Sequence, residues 1–120
     1  MKDSGRTTLR RAREQTGVSM VELADRLGVA LSSVSNLELN DERGVAETGT
    51  VDRALVALDL ARWDVVVPAI ELEAIFAEAE ETVAEVAWQM ALEGQRITDE
   101  AASRIVRRLV IDTLSLSHSG

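Results

Sequence analysis

Cysteine is absent from these 120 residues, so neither a disulfide framework nor a thiolate metal site can form. Proline occurs once, at Pro68, which leaves the chain almost free of helix breakers. Aromatic residues are scarce: two tryptophans, one phenylalanine and no tyrosine. A core must therefore be aliphatic. The single histidine, His118, sits at the C-terminal end, away from any partner nucleophile. Acidic side chains are plentiful, but none has a metal-ligand spacing or a paired base. An enzyme is not expected, nor a resident metal or cofactor. No apolar run approaches the length of a membrane span and no signal peptide opens the chain, so the expectation is a cytoplasmic protein without a membrane partner.

What is present in quantity is alanine, leucine and valine. Hydrophobic residues make up 46% of the chain, enough for a core, and their type favours helix. The length suits one domain or two small ones. Apolar periodicity predicts an all-α fold in two regions, a helix-turn-helix domain over 6–62 and a helical extension over 69–117 with one long and one shorter helix.

The stretch Thr16 to Leu39 carries the clearest pattern. Leu23, Ala24 and Leu27 form the apolar face of one helix. Gly28 follows where the chain must turn, and Val29, Val34 and Leu37 supply the face of the next. Small Ala24 lets the two helices cross closely. That order suits a helix pair at a steep angle, whose second helix usually enters the DNA major groove.

Other elements follow from capping signals. A first helix is predicted over 7–16, with Leu9 and Ala12 inward and Gly17 at its end. Ser19 and Glu22 form a capping box for the next. The third helix is predicted over 31–39, and Asn40 to Gly44 reads as a loop. Thr50 caps a fourth helix through Val51, Leu55 and Leu58. Trp63-Asp64-Val65-Val66-Val67 is short and β-branched, the pattern of a single strand. Pro68 then opens a long helix over 69–92, with Leu72, Phe76, Ala79, Val83, Val86 and Met90 at heptad-like steps. Gly94 stops it. Thr98 caps the last helix, whose face is Ile105, Leu109 and Leu114, and the tail from Ser115 should fray.

The net charge of −8 argues against a simple nucleic-acid binder, because phosphate repels acid. Its distribution matters more. Residues 1–17 carry a net +3, residues 18–62 a net −4, residues 63–93 a net −8 with no base, and residues 94–120 a net +1. The acid excess is concentrated on the long helix, as a solvated face or as a surface for a basic partner. Arg104, Arg107 and Arg108 on the last helix offer a basic side that could pair with it.

Arg6 to Leu60 resembles the lambda-repressor-like (XRE) helix-turn-helix family. The likeness rests on Leu9-Arg10-Arg11-Ala12-Arg13, on Glu22 to Val29 and on Val34-Ser35-Asn36-Leu37-Glu38. The second helix departs from the family pattern: Ala30 and Leu31 replace its usual Ser or Thr and Gln, Asn36 a frequent Arg or Lys, and Leu39 a Lys. The resemblance implies base contacts from Ser32, Ser33, Ser35 and Asn36, and phosphate contacts from Arg6, Arg10, Ser19 and Arg43. It implies modest, salt-sensitive affinity for the operator of its own operon, with a homodimer or co-repressor in support.

Further on, Gln89-Met90-Ala91-Leu92-Glu93-Gly94 is similar to the inhibitory segment of antitoxins paired with Fic toxins, where Ser or Thr precedes Glu by four residues and Gly or Asn follows. Gln89 stands in the Ser or Thr place. The whole order, from helix-turn-helix through Pro68 to a long helix ending in Met-Ala-Leu-Glu, resembles the mobile mystery protein A family, antitoxins paired with Fic-domain toxins. Fic toxins transfer AMP from ATP to a protein hydroxyl. The resemblance implies that Glu93 occupies the toxin arginine that holds the γ-phosphate, with Gly94 ending the helix and Gln89 one turn back. It implies a toxin-binding seam of Leu72, Phe76, Val83, Val86 and Met90, with Trp88 as an anchor beside it; the alternative is that the seam and Trp88 pack within the chain itself. Two other readings stay open: a plain repressor whose C-terminal helices dimerise, and an adaptor that keeps the helix-turn-helix only as scaffold.

Overall fold

The computed structural model describes residues 7–118, with side chains to Leu116. It contains six helices: α1 (Leu9–Thr16), α2 (Met20–Leu27), α3 (Leu31–Glu42), α4 (Thr48–Arg62), α5 (Ala69–Leu92) and α6 (Asp99–His118). No strand occurs among the described residues, and the fold is all-α, as the composition requires. The chain divides into two compact units, 1–69 and 70–120.

The first unit packs α4 against α1, α2 and α3. Its core is Leu9, Val18, Leu23, Ala24, Val34, Leu37, Ala54, Ala57 and Leu58. Three alanines in that set let helices approach closely, so the core holds few bulky side chains. Val29 was expected in it and is instead 44% exposed. It follows Gly28, and its N–H donates to the Ala24 carbonyl at 3.0 Å to close the α2 terminus, which turns its side chain outward.

Polar ties supplement this core. The Leu9 N–H donates to the Asp41 carboxylate at 2.8 Å, which satisfies an orphan donor of the α1 first turn from 32 residues away. Thr8 accepts from the Arg11 N–H at 3.2 Å as the local cap. Arg13 donates to both Glu38 carboxylate oxygens through the Nε–Nη2 edge of its guanidinium, and through Nη1 to the Val18 carbonyl at 2.9 Å. The Arg13 and Glu38 side chains are only 11% and 7% exposed. The hydrogen bond that Arg13 donates to Glu38 holds the guanidinium above its usual pKa, against the opposing effect of burial.

These ties explain where the expected boundaries move. Asn40 to Glu42 continue α3 rather than forming a loop, because Asp41 is buried under the α1 terminus. Thr50 lies inside α4, which starts at Thr48 after Glu47. The segment expected as a strand instead completes the α4 C-terminus: Asp64 takes φ 58°, and the Val65 N–H reaches back to the Leu60 carbonyl at 2.8 Å. Asp tolerates that left-handed backbone better than most residues, and no partner strand exists to compete. The Val65 carbonyl then accepts from Arg26 at 2.7 Å, which ties the segment to α2.

The second unit is formed by α5 and α6. Leu72, Phe76, Ala79 and Val83 are buried on α5, and Val106, Val110 and Leu114 on α6. A shallow depression is lined from both helices, by Ile75, Glu78, Ala79 and Thr82 of α5 and Leu109 and Thr113 of α6. The α6 face is therefore set one residue from the expected one: Leu114 belongs to it, but Ile105 is 42% exposed. Arg104 and Arg108 pair with Glu100 and Asp112 of their own helix, at 3.6 and 3.3 Å. Thr98 caps α6 as expected, accepting from the Ala101 N–H at 3.0 Å, and the helix persists to His118 past the expected fraying point.

Candidate functional site

The turn between α2 and α3 is built by local chemistry. The Ser19 hydroxyl accepts the Glu22 N–H at 3.0 Å. Glu22 does not complete the expected reciprocal box; its carboxylate meets Arg26 at 3.3 Å, one turn along. Gly28 ends α2 at φ 68°, and a Cβ there would lie 2.7 Å from the Ala69 Cβ. Glycine is thus required twice over, by backbone and by space. Ala30 precedes α3 without a side-chain cap.

Val34, Leu37, Glu38 and Asp41 bury one side of α3. The opposite side presents Ser32, Asn36 and Arg43 along one row, at spacings that keep them on one helix face. Ser35 lies on the adjacent row, between Leu31 and Leu39, while Ser33 is exposed on the other flank. The structure therefore gathers Ser32, Ser35, Asn36 and Arg43 and sets Ser33 apart. Ser19 is exposed, but its hydroxyl is engaged in capping. Arg10 is exposed and meets two carboxylates, Glu14 at 3.4 Å and Glu42 at 4.0 Å, so a phosphate must compete with both. Arg6 lies outside the described residues. Arg11 was not singled out from the sequence; it is exposed beside Arg10. The triple Arg10-Arg11-Arg13 was the available signal, but only folding separates the buried structural Arg13 from its exposed neighbours.

The C-terminal end of α5 forms the second candidate region. The expected apolar seam divides in two. Leu72, Phe76 and Val83 are buried within the chain, at 3%, 0% and 6% exposure, and do not offer a docking face. Val86, Trp88 and Leu92 are at least half exposed, and Met90 is half-buried. Leu92 was not singled out from the sequence, because it falls off the heptad steps. Val86, Gln89 and Glu93 follow one another on one row, with Trp88 and Leu92 on the next. Gly94 takes φ 80°; its N–H donates to the Ala91 carbonyl at 3.0 Å, and the Gln95 N–H to the Met90 carbonyl at 2.8 Å. That closure places Glu93 in the turn directly after Leu92, the last residue of α5, with its side chain exposed.

No helix among the described residues is long and apolar enough to cross a membrane. Comparisons with curated proteins and with solved structures returned no match. A family model described as Helix-turn-helix matches residues 9–47, the span from the start of α1 to the residue before α4. With α2, the Gly28 turn and α3 in place, residues 9–47 form an XRE-type helix-turn-helix domain, the domain of a DNA-binding regulator.

Proposed function

We propose that this helix-turn-helix regulator is an antitoxin that binds a Fic-domain AMP-transferase and silences it with Glu93. On this reading the chain has two working regions, a DNA-binding domain over 6–62 and an inhibitory helical region over 69–117. The carrying observation is the surface at the end of α5: the exposed apolar row of Trp88 and Leu92 lies next to the row of Gln89 and exposed Glu93, with exposed Val86 two turns back. An apolar patch with a projecting charge is what docking against a protein cleft requires.

Glu93 then pairs with the toxin arginine that would hold the ATP γ-phosphate. Carboxylate and guanidinium match bidentately, so one side chain displaces one phosphate. Phosphoryl-group chemistry depends mainly on positioning, and a misplaced triphosphate does not react. Gly94 turns the chain away with no side chain at the rim, and Gln89 lies one turn behind Glu93 on the same row. The six glutamates of α5 favour a partner with a basic rim.

Co-expression with a Fic-domain protein encoded beside this chain tests the pairing. A stable co-purifying complex, weakened by Trp88→Ala and unaffected by the remote Ser35→Ala, is the expected result. Absence of any complex, with the plain repressor activity intact, would instead support a regulator whose C-terminal helices serve only itself.

A further inference from the structure

The solvent-facing centre of α3 carries almost no charge. Between Leu31 and Asn40 its exposed side chains are Leu31, Ser32, Ser33, Ser35, Asn36, Leu39 and Asn40, with neither lysine nor arginine among them. Leu31 and Leu39 are 47% and 44% exposed, although two turns of the same helix bury their apolar side fully through Val34 and Leu37. Leu31, Ser35 and Leu39 make one row at i, i+4 and i+8, and Asn36 lies beside its middle.

Guanine is read chiefly by the forked donors of arginine or by lysine, and this face has neither between Leu31 and Asn40. Adenine is read by the paired donor and acceptor of an asparagine amide, which Asn36 supplies. Thymine alone among the four bases presents a methyl group in the major groove, and an apolar side chain is its complement. We propose that α3 selects A·T base pairs, with Asn36 on adenine and with Leu31 and Leu39 against thymine methyl groups. The inference rests on the DNA-binding reading of the helix-turn-helix and names the sequence class that it takes. Arg43 is the C-cap of α3, seven residues and roughly 10 Å along the axis from Asn36, and serves the phosphate backbone rather than the same base step.

The test is selection of duplexes by the full chain from a random-sequence pool at low salt, followed by replacement of thymine with uracil in the selected site. Uracil keeps the hydrogen-bonding edge and removes only the methyl. The expected result is a selected core rich in A·T pairs, with Kd raised about fourfold for each contacted methyl removed, the worth of one buried carbon. In Leu39→Ser the same replacement at the facing thymine should cost nothing. Leu39 is exposed, so that variant keeps its fold, and the uracil arm leaves the protein untouched. A G·C-rich core, or uracil without effect in the wild-type chain, overturns the inference and leaves DNA binding standing. A pool from which no duplex is retained overturns DNA binding itself, and makes the Leu31–Leu39 row a protein contact.

Discussion

The two units are held in different ways. The first ties distant segments together with charged groups: Asp41 caps α1, Glu38 holds Arg13, and Arg26 reaches the Val65 carbonyl. In the second, the ion pairs Arg104–Glu100 and Arg108–Asp112 span one turn of α6 and lie in solvent, while the burial is aliphatic and aromatic. Exposed one-turn pairs contribute little to stability, and buried long-range ones cost much when broken. The consequence is a division of labour. Polar groups in the first unit fix the geometry of a helix-turn-helix, while the second keeps most of its charge on the surface, where a partner can meet it, the buried Nε of Arg107 apart.

The largest test of that contrast is Glu38→Ala. Removing one partner of a buried pair strands the other, so a loss of about 3 kcal/mol is expected, read as a shift of the denaturation midpoint. Asp112→Ala in the second unit should change it by less than about 0.5 kcal/mol. An equal effect of the two would erase the distinction. A finer probe compares two glycines with the same left-handed backbone. Gly94→Ala meets empty space and should cost about 1 kcal/mol for the backbone alone. Gly28→Ala also drives a Cβ into Ala69 and should cost roughly twice that. Smallest in stability is Arg43→Ala, expected to leave the midpoint in place, weaken DNA binding across sequences and lower the salt slope by about one.

Legibility follows the same divide. Glycines and hydroxyl caps act within a turn, so Gly17, Gly28, Gly94, Ser19 and Thr98 could be read directly, and with them most helix ends. The α5 boundaries were set by Pro68 and Gly94 alone. What depends on a distant partner was hidden. Asp41 looked like loop composition because its reason for burial is the Leu9 N–H, 32 residues away. The valines after Trp63 looked like a strand because β-branching carries no record of whether a neighbouring strand exists. The seam on α5 was visible as a periodicity, but period cannot tell a face buried at home from one kept for a partner; burial splits it after Val83. On α3 the missing amide and basic residues were visible from the start, and the exposed leucine row that replaces them needed the structure.

One residue carries the central claim. Glu93 is exposed at the end of α5, and its replacement should leave the fold within about 0.5 kcal/mol of wild type. The decisive measurement is nucleotide transfer by the purified complex of the full chain with the proposed Fic-domain partner, wild type against Glu93→Gly. The account predicts a silent wild-type complex and a Glu93→Gly complex that stays assembled, through Trp88 and its apolar neighbours, yet transfers AMP. An assembled Glu93→Gly complex that remains silent would contradict it.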